Sequence, residues 1–451
     1  GAVYGELGPS VSSTNVYYNS SINSGLGTIG NGSLSSGTIT DISSQITGMS
    51  NLSGTYSIST AQDLDNLATL VNAGKVSSSA TFVLANDIDM SGRKWTIIGT
   101  ESYAFEATFN GNGHKITGIT MGYDDMLKHY NGGRFRYQGG VFGYISGGTV
   151  KNLSVDVNYD FSGSYSNDAD NLAVGGFAYD IGDSDIQNCS VTGNLIKQPN
   201  IENISLSGFA DSISGSTLNN TYSKLNMEVN AQYGSYYGLN GFADTIENSC
   251  VSNSFYDGSI TGTGYTEMTY VCGFTCGVFD SVLGNCYTRM STNIGGAGFV
   301  NSVVQNSDIS DCICVVSTNG AILDDFIVMT DISIDCRNCT ITNCYTSGSS
   351  QYYTDNSNTI SVSVTGLSVE EANQMFNEGA SMIENGLALG MLGIRTNVST
   401  ENGVTTYSNT NSLQVSSEVT TTVTASTTIG AIGVSPIPNP IPSVDYTVEI
   451  N

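Results

Sequence analysis

The sequence predicts an all-β solenoid, and three observations carry that expectation. A short phrase recurs, in which a Gly-Phe step is followed roughly ten residues later by an apolar residue, a polar residue, Asn and Cys or Ser. It reads GVFGYISGGTVKNLSV from Gly140, GGFAYDIGDSDIQNCSV from Gly175, SGFADSISGSTLNNTYS from Ser207 and NGFADTIENSCV from Asn240, then returns in worn form from Cys272, Ala297 and Ile341. Repetition at this length signals one supersecondary unit stacked on copies of itself. Apolar residues within each copy also alternate as strands require, with Gly clusters between them. Finally, only 12% of residues are charged while short polar residues abound, a balance suited to turns and strands rather than helices.

Thirteen Lys plus Arg against forty Asp plus Glu give a net charge of -27, which argues against nucleic acid and anionic membrane surfaces as partners. No apolar run reaches a membrane span of about 20 residues, so membrane insertion is not expected. The start at Gly1, with no signal-like apolar segment, reads as a removed export signal or a trimmed chain.

Taken in order, residues 1–50 are rich in Ser, Gly and Asn and read as an extended or partner-dependent arm. In Tyr56–Gly74, Thr60 and Asp63 form a capping box, and Leu64, Leu67, Ala68 and Val71 recur at helical spacing. A helix there would cover the open first rung of the solenoid. The segment KHYNGGRFRYQ (Lys128–Gln138) gathers Lys128, Tyr130, Arg134, Phe135, Arg136 and Tyr137, an aromatic and basic set that is the expected contact surface. A loop folded over the rungs is its structural alternative.

Within the repeats, strands in register stack like residues on like at about 4.8 Å. Phe142, Phe177, Phe209, Phe242, Phe274 and Phe299 are therefore expected to form an aromatic ladder. The polar ladder is expected to run through Asn152, Asn188, Asn220, Asn248, Asn285, Asp311 and Asn343, at uneven separations of 36, 32, 28, 37, 26 and 32. All ten cysteines lie between Cys189 and Cys344, and four of them follow this polar position. They read as buried thiols or local disulfides; Cys336 and Cys339 have the spacing of half a zinc site but lack recognisable companions. Beyond the repeats, Ala372, Met375, Phe376, Gly379 and Ile383 share a helical face within Gly366–Arg395, a capping or docking helix. Residues 397–451 switch to a Thr/Val-rich, β-type tail ending in PIPNPIP.

The order of motifs from 55 to 348 resembles secreted GLUG-motif proteins. Asn86-Asp87-Ile88-Asp89, Trp95 to Gly99, Phe109 to Gly118 and Gly140 to Tyr144 follow one another as they do in that family. The resemblance implies a right-handed parallel β-helix on a bacterial or archaeal cell surface, and it names no activity.

Catalysis is weakly signalled. Asp211 and Asp244 occupy equivalent positions after the Phe step, with Asp180 and Asp280 nearby, and adjacent rungs would place such carboxyls about 5 Å apart, as in a retaining glycosidase. A turn role is the simpler reading. Asp87/Asp89 and Asp168/Asp170 have alternate-carboxylate spacing but no calcium loop around them, so no metal or cofactor is expected. The expectation is a non-enzymatic extracellular structural or adhesive protein that assembles with itself through its ends. A glycan- or receptor-binding fibre and a polysaccharide-degrading β-helix enzyme are the alternatives.

Overall fold

A β-strand rich in alternating apolar residues must bury one face, and a repeat buries it against its own next copy. In the computed structural model this yields a parallel β-solenoid of about six turns. It describes residues 49–131, 134–161, 169–197, 203–230, 236–263, 269–294, 296–318, 338–347 and 360–391, with short strands within 4–41, 396–409 and at 435–436.

Three sheets form its walls. The first has six strands: Leu127–Asn131, Arg134–Gly139, Ala169–Gly175, Asn203–Ser207, Tyr236–Asn240 and Thr269–Cys272. The second also has six, from Phe142–Ser146 to Val300–Gln305. The third has fifteen strands and includes the long Thr149–Phe161, Asp185–Lys197, Thr217–Asn230, Cys250–Thr263 and Val282–Thr292. Pairing in these walls is parallel except for the hairpin of Leu127–Asn131 with Arg134–Gly139.

The Gly-Phe step is the bend between the first and second walls. A Cβ on Gly208 would sit 1.9 Å from the Gly241 carbonyl oxygen, and one on Gly241 would sit 1.9 Å from that of Gly273. Only glycine lets successive rungs approach so closely at this bend. The Phe that follows turns inward. All six expected ladder phenylalanines are fully buried, and from Phe177 to Phe299 their rings stack at 4.6–5.0 Å within 9° of parallel. Phe142 joins at a tilt of 41°, beside Phe105 and Phe109.

The polar ladder needs one correction. Asn152, Asn188, Asn220, Asn285, Asp311 and Asn343 lie in register, each in the left-handed conformation. The residue between Asn220 and Asn285, however, is Asn253, because Asn219 pairs with Ser252 and Thr221 with Ser254. Asn248 belongs to the preceding corner, where Gly147, Asp183, Gly215, Asp280, Asn306 and Asn338 are its left-handed equivalents. Two corners of each rung require positive φ, and Asn serves both. With Asn253 in place the separations become 36, 32, 33, 32, 26 and 32.

Helix α1 (Ala61–Asn72) has the expected capping box: the Asp63 backbone N–H donates to Thr60 Oγ1 at 3.2 Å and the Thr60 N–H to Asp63 Oδ2 at 2.9 Å. It is the crossover between parallel strands Thr55–Ile58 and Thr81–Leu84, and it sends Leu64, Leu67, Leu70 and Val71 into the common core. Helix α2 (Val369–Met391) docks on the outer face of the third wall and touches six strands from Thr149–Phe161 to Ile313–Thr318. Its Ala372, Phe376, Ala380 and Ile383 pack against Phe255, Ile313 and Val315. Met375 is only partly buried there. Arg289 pins it, donating to both oxygens of Asp257 at 2.9 and 2.7 Å and to Asn377 at 2.7 Å while lying 4.4 Å from the Phe376 ring centre.

Within residues 1–50 the described segments are short strands. Tyr4–Glu6 pairs with Ile29–Asn31 and Ser12–Tyr18 with Ser36–Asp41, two small parallel sheets separate from the three walls. In the tail, Thr396–Glu401 and Val404–Asn409 form a hairpin. The Thr/Val-rich stretch at 416–433 and the prolines at 437–442 lie outside the described residues, as do Cys336, Arg337 and Arg395. Among the described residues no helix is long and apolar enough to cross a membrane.

Candidate binding cleft

Two features that are far apart in sequence meet at the bend of the first and second walls. Arg136, from the basic-aromatic segment, lies 3.9 Å from the Asp211 carboxylate. Its guanidinium also sits 5.5 Å from the centre of the Tyr179 ring. Tyr179, Asp211, Asp244 and Cys276 each fall two residues after a ladder Phe, so one repeat position changes from aromatic to acidic to sulfur along the axis; Tyr144 has the same offset from Phe142 but registers with Asp180. Asp180 belongs to the neighbouring column, in register with Tyr144 on one side and Ser212 on the other. Asp280 is a corner residue whose Oδ1 accepts from Asn306 at 3.0 Å.

Neither Asp211 nor Asp244 behaves as the expected turn residue. Asp211 is 5% exposed and accepts from Ser205 Oγ on the strand before the bend. Asp244 Oδ1 accepts from Asn240 Nδ2 at 3.1 Å across the same bend. On the next rung, Cys272 and Cys276 replace that pair with a disulfide. Burial, and then the neighbouring Asp244, push the Asp211 carboxyl up to about 7, while Ser205 and Arg136 oppose the rise. Asp244 is also raised, chiefly by burial.

In front of these carboxyls opens a cleft of about 330 Å³ lined by Glu101, His129, Arg136, Gln138, Tyr144, Asn171 and Tyr179. Gln138 is buried and its Oε1 accepts from the Tyr144 hydroxyl at 2.9 Å. His129 pairs with Glu101 at 2.7 Å on the rim. Asp211 and Asp244 do not line the cleft; Asp211 sits beside Arg136 as its support. The sequence reading found Arg136 but missed Glu101, Tyr144, Asn171 and Tyr179. The two tyrosines carried a signal, their fixed offset from the ladder Phe.

Of the remaining contact candidates, Tyr137 is buried at 6.1 Å from Tyr123, and exposed Lys128 lies over its ring at 5.4 Å. Tyr137 thus serves packing rather than an outward surface. The side chains of Tyr130, Arg134 and Phe135 lie outside the described residues, as do Asp168 and the side chain of Asp170. Asp87 accepts from Lys115 N and His114 Nδ1, and Asp89 from Ser91 N at 2.9 Å, so both are turn and strand fasteners. Cys189, Cys286, Cys312 and Cys344 are buried free thiols. Among the described residues no cluster of three metal-binding side chains occurs.

The sequence reading also missed a serine ladder. Ser184, Ser216, Ser249, Ser281 and Ser307 each donate Oγ–H to the carbonyl two residues back at 2.6–2.7 Å. Each also accepts a backbone N–H from the preceding rung at 2.9–3.2 Å. No family model matches this chain, and no curated protein is significantly similar to it.

Proposed function

We propose that this is a non-enzymatic extracellular protein with a structural and adhesive role, in which the solenoid is a spacer and the terminal segments join one copy to the next. The observation that carries the reading lies at the N-terminal edge of the third wall. Strand Thr55–Ile58 receives its outer neighbour from the far end of the chain: Ser435 pairs in parallel with Tyr56, and Pro436 with Ser57. A tail that completes the first rung of its own molecule can complete that of a neighbour with the same bonds, and such a head-to-tail contact propagates. Pro436 has no N–H to offer a further strand, which suits a segment that closes an edge.

Burial of Asp211 beside Arg136, and the absence of both Asp211 and Asp244 from the cleft lining, support a non-enzymatic role, since a general acid must reach the proton it transfers. The Cys272–Cys276 disulfide suits an oxidising compartment. The likeness of the motif order to GLUG-motif surface proteins points the same way. Electron microscopy and light scattering of the full chain, alongside a chain ending at residue 434, test the assembly. Polymers that disappear with the last residues are expected. A full chain that stays monomeric at every concentration would overturn it.

A further inference from the structure

We infer that the cleft at Arg136 and Tyr179 is a binding site for an uncharged glycan. The chemistry of its lining is the first argument. All seven residues carry planar polar groups: a carboxylate, an imidazole, a guanidinium, two amides and two phenols. There is no aliphatic side chain against which a lipid or an apolar cofactor could be buried. A sugar presents adjacent hydroxyls, each donor and acceptor at once, and these match amide, carboxylate and guanidinium edges.

Rigidity is the second argument. Buried Gln138 holds the Tyr144 hydroxyl, Arg136 is set between Asp211 and the Tyr179 ring, and the Tyr144 and Tyr179 rings meet edge to face at 5.2 Å. Groups already ordered lose little freedom on binding a ligand. The volume, about 330 Å³, lies at the small end of ligand sites and holds about one or two sugar rings.

Charge decides against acidic sugars. Arg136 is the one arginine or lysine of the lining, and it already faces Asp211, with Asp180 and Asp244 also within reach of its field. Glu101 adds a further negative charge at the rim. An incoming carboxylate would meet these groups and the overall charge of -27.

The site rests on the adhesive part of the reading above and does not depend on self-assembly. Calorimetric titration of the full chain with cellohexaose, maltohexaose, mannohexaose and N-acetylchitohexaose, and with oligogalacturonate as the charged counterpart, tests it. At least one neutral oligosaccharide should bind, and oligogalacturonate should not. Affinity should fall at least tenfold in both Arg136→Ala and Asn171→Ala. Asn171 is part-exposed on a rim strand, so that variant keeps its fold if Arg136→Ala does not. Failure of all four neutral sugars to bind, undiminished binding in Asn171→Ala, or preference for oligogalacturonate would each overturn the site. Filaments that bind no sugar would leave self-assembly standing, and sugar-binding monomers would do the reverse.

Discussion

Asp211 shows how a single side chain carries the tension between burial and charge. Its carboxyl is pushed up from 3.8 to about 7 because water is excluded and Asp244 is its neighbour on the next rung. A group whose folded value is raised binds more protons folded than unfolded, so its destabilising effect is absent below pH 4, grows through pH 4–7 and is complete above pH 7. Asp211→Asn should therefore stabilise the protein at pH 8 and leave it nearly unchanged at pH 4, as read from urea midpoints; equal effects at both pH values would disprove this. Asn253 poses a different residue-scale question, since it combines a φ of 48° with a hydrogen bond from its Nδ2 to Asn219 Oδ1 at 2.8 Å. Asn253→Gly keeps the backbone geometry and loses only the bond, whereas Asn253→Ala loses both. The alanine variant should be less stable by about 1 kcal/mol. If the two variants melt together, the left-handed conformation is not what selects Asn here.

At the scale of elements, the ladders follow from strand registry and the sequence made them readable unevenly. The Phe ladder was legible because one large side chain recurs next to an obligatory glycine. The Asn ladder was legible except at one rung, where Asn248 and Asn253 flank the same stretch and both corners accept a left-handed residue. Only the pairing of Asn219 with Ser252 separates them. The serine ladder was hidden because serine abounds everywhere in this composition, and nothing local marks the ones whose hydroxyls bridge rungs. The cleft was half legible. Its basic segment stood out in an acidic chain, but its partners come from other rungs, and their convergence is a property of the bend. The serine ladder makes its own prediction. In Ser249→Ala the buried N–H of Ser216 loses its acceptor, which should cost about 1–3 kcal/mol by denaturant unfolding. A change below a few tenths of a kcal/mol would show that the ladder contributes no stability.

On the scale of the whole molecule, a solenoid is a one-dimensional array in which each rung is stabilised mainly by its neighbours. Such an array unfolds in one step only while the coupling between rungs exceeds the differences among them. Phe209 lies in the middle of the stack, with Phe177 at 4.8 Å on one side and Phe242 at 5.0 Å on the other. Phe209→Ala should cost about 3–5 kcal/mol and weaken the coupling between the two halves. Helix α2 crosses that rung from outside, touching strands on both sides of it, and so acts as a strap around the weakened interface. Phe209→Ala alone should therefore still unfold in a single transition at a lower denaturant concentration. The strap depends on Phe376, fully buried against Phe255, and on Arg289 above it. Adding Phe376→Ala should undock α2 and separate the transitions of the two halves, seen as non-coincident curves from circular dichroism and tyrosine fluorescence. Residues in contact with a shared element also couple, so the two costs should not add. A double variant that unfolds in one transition, at the sum of the two separate costs, would mean that α2 decorates the solenoid without holding it together.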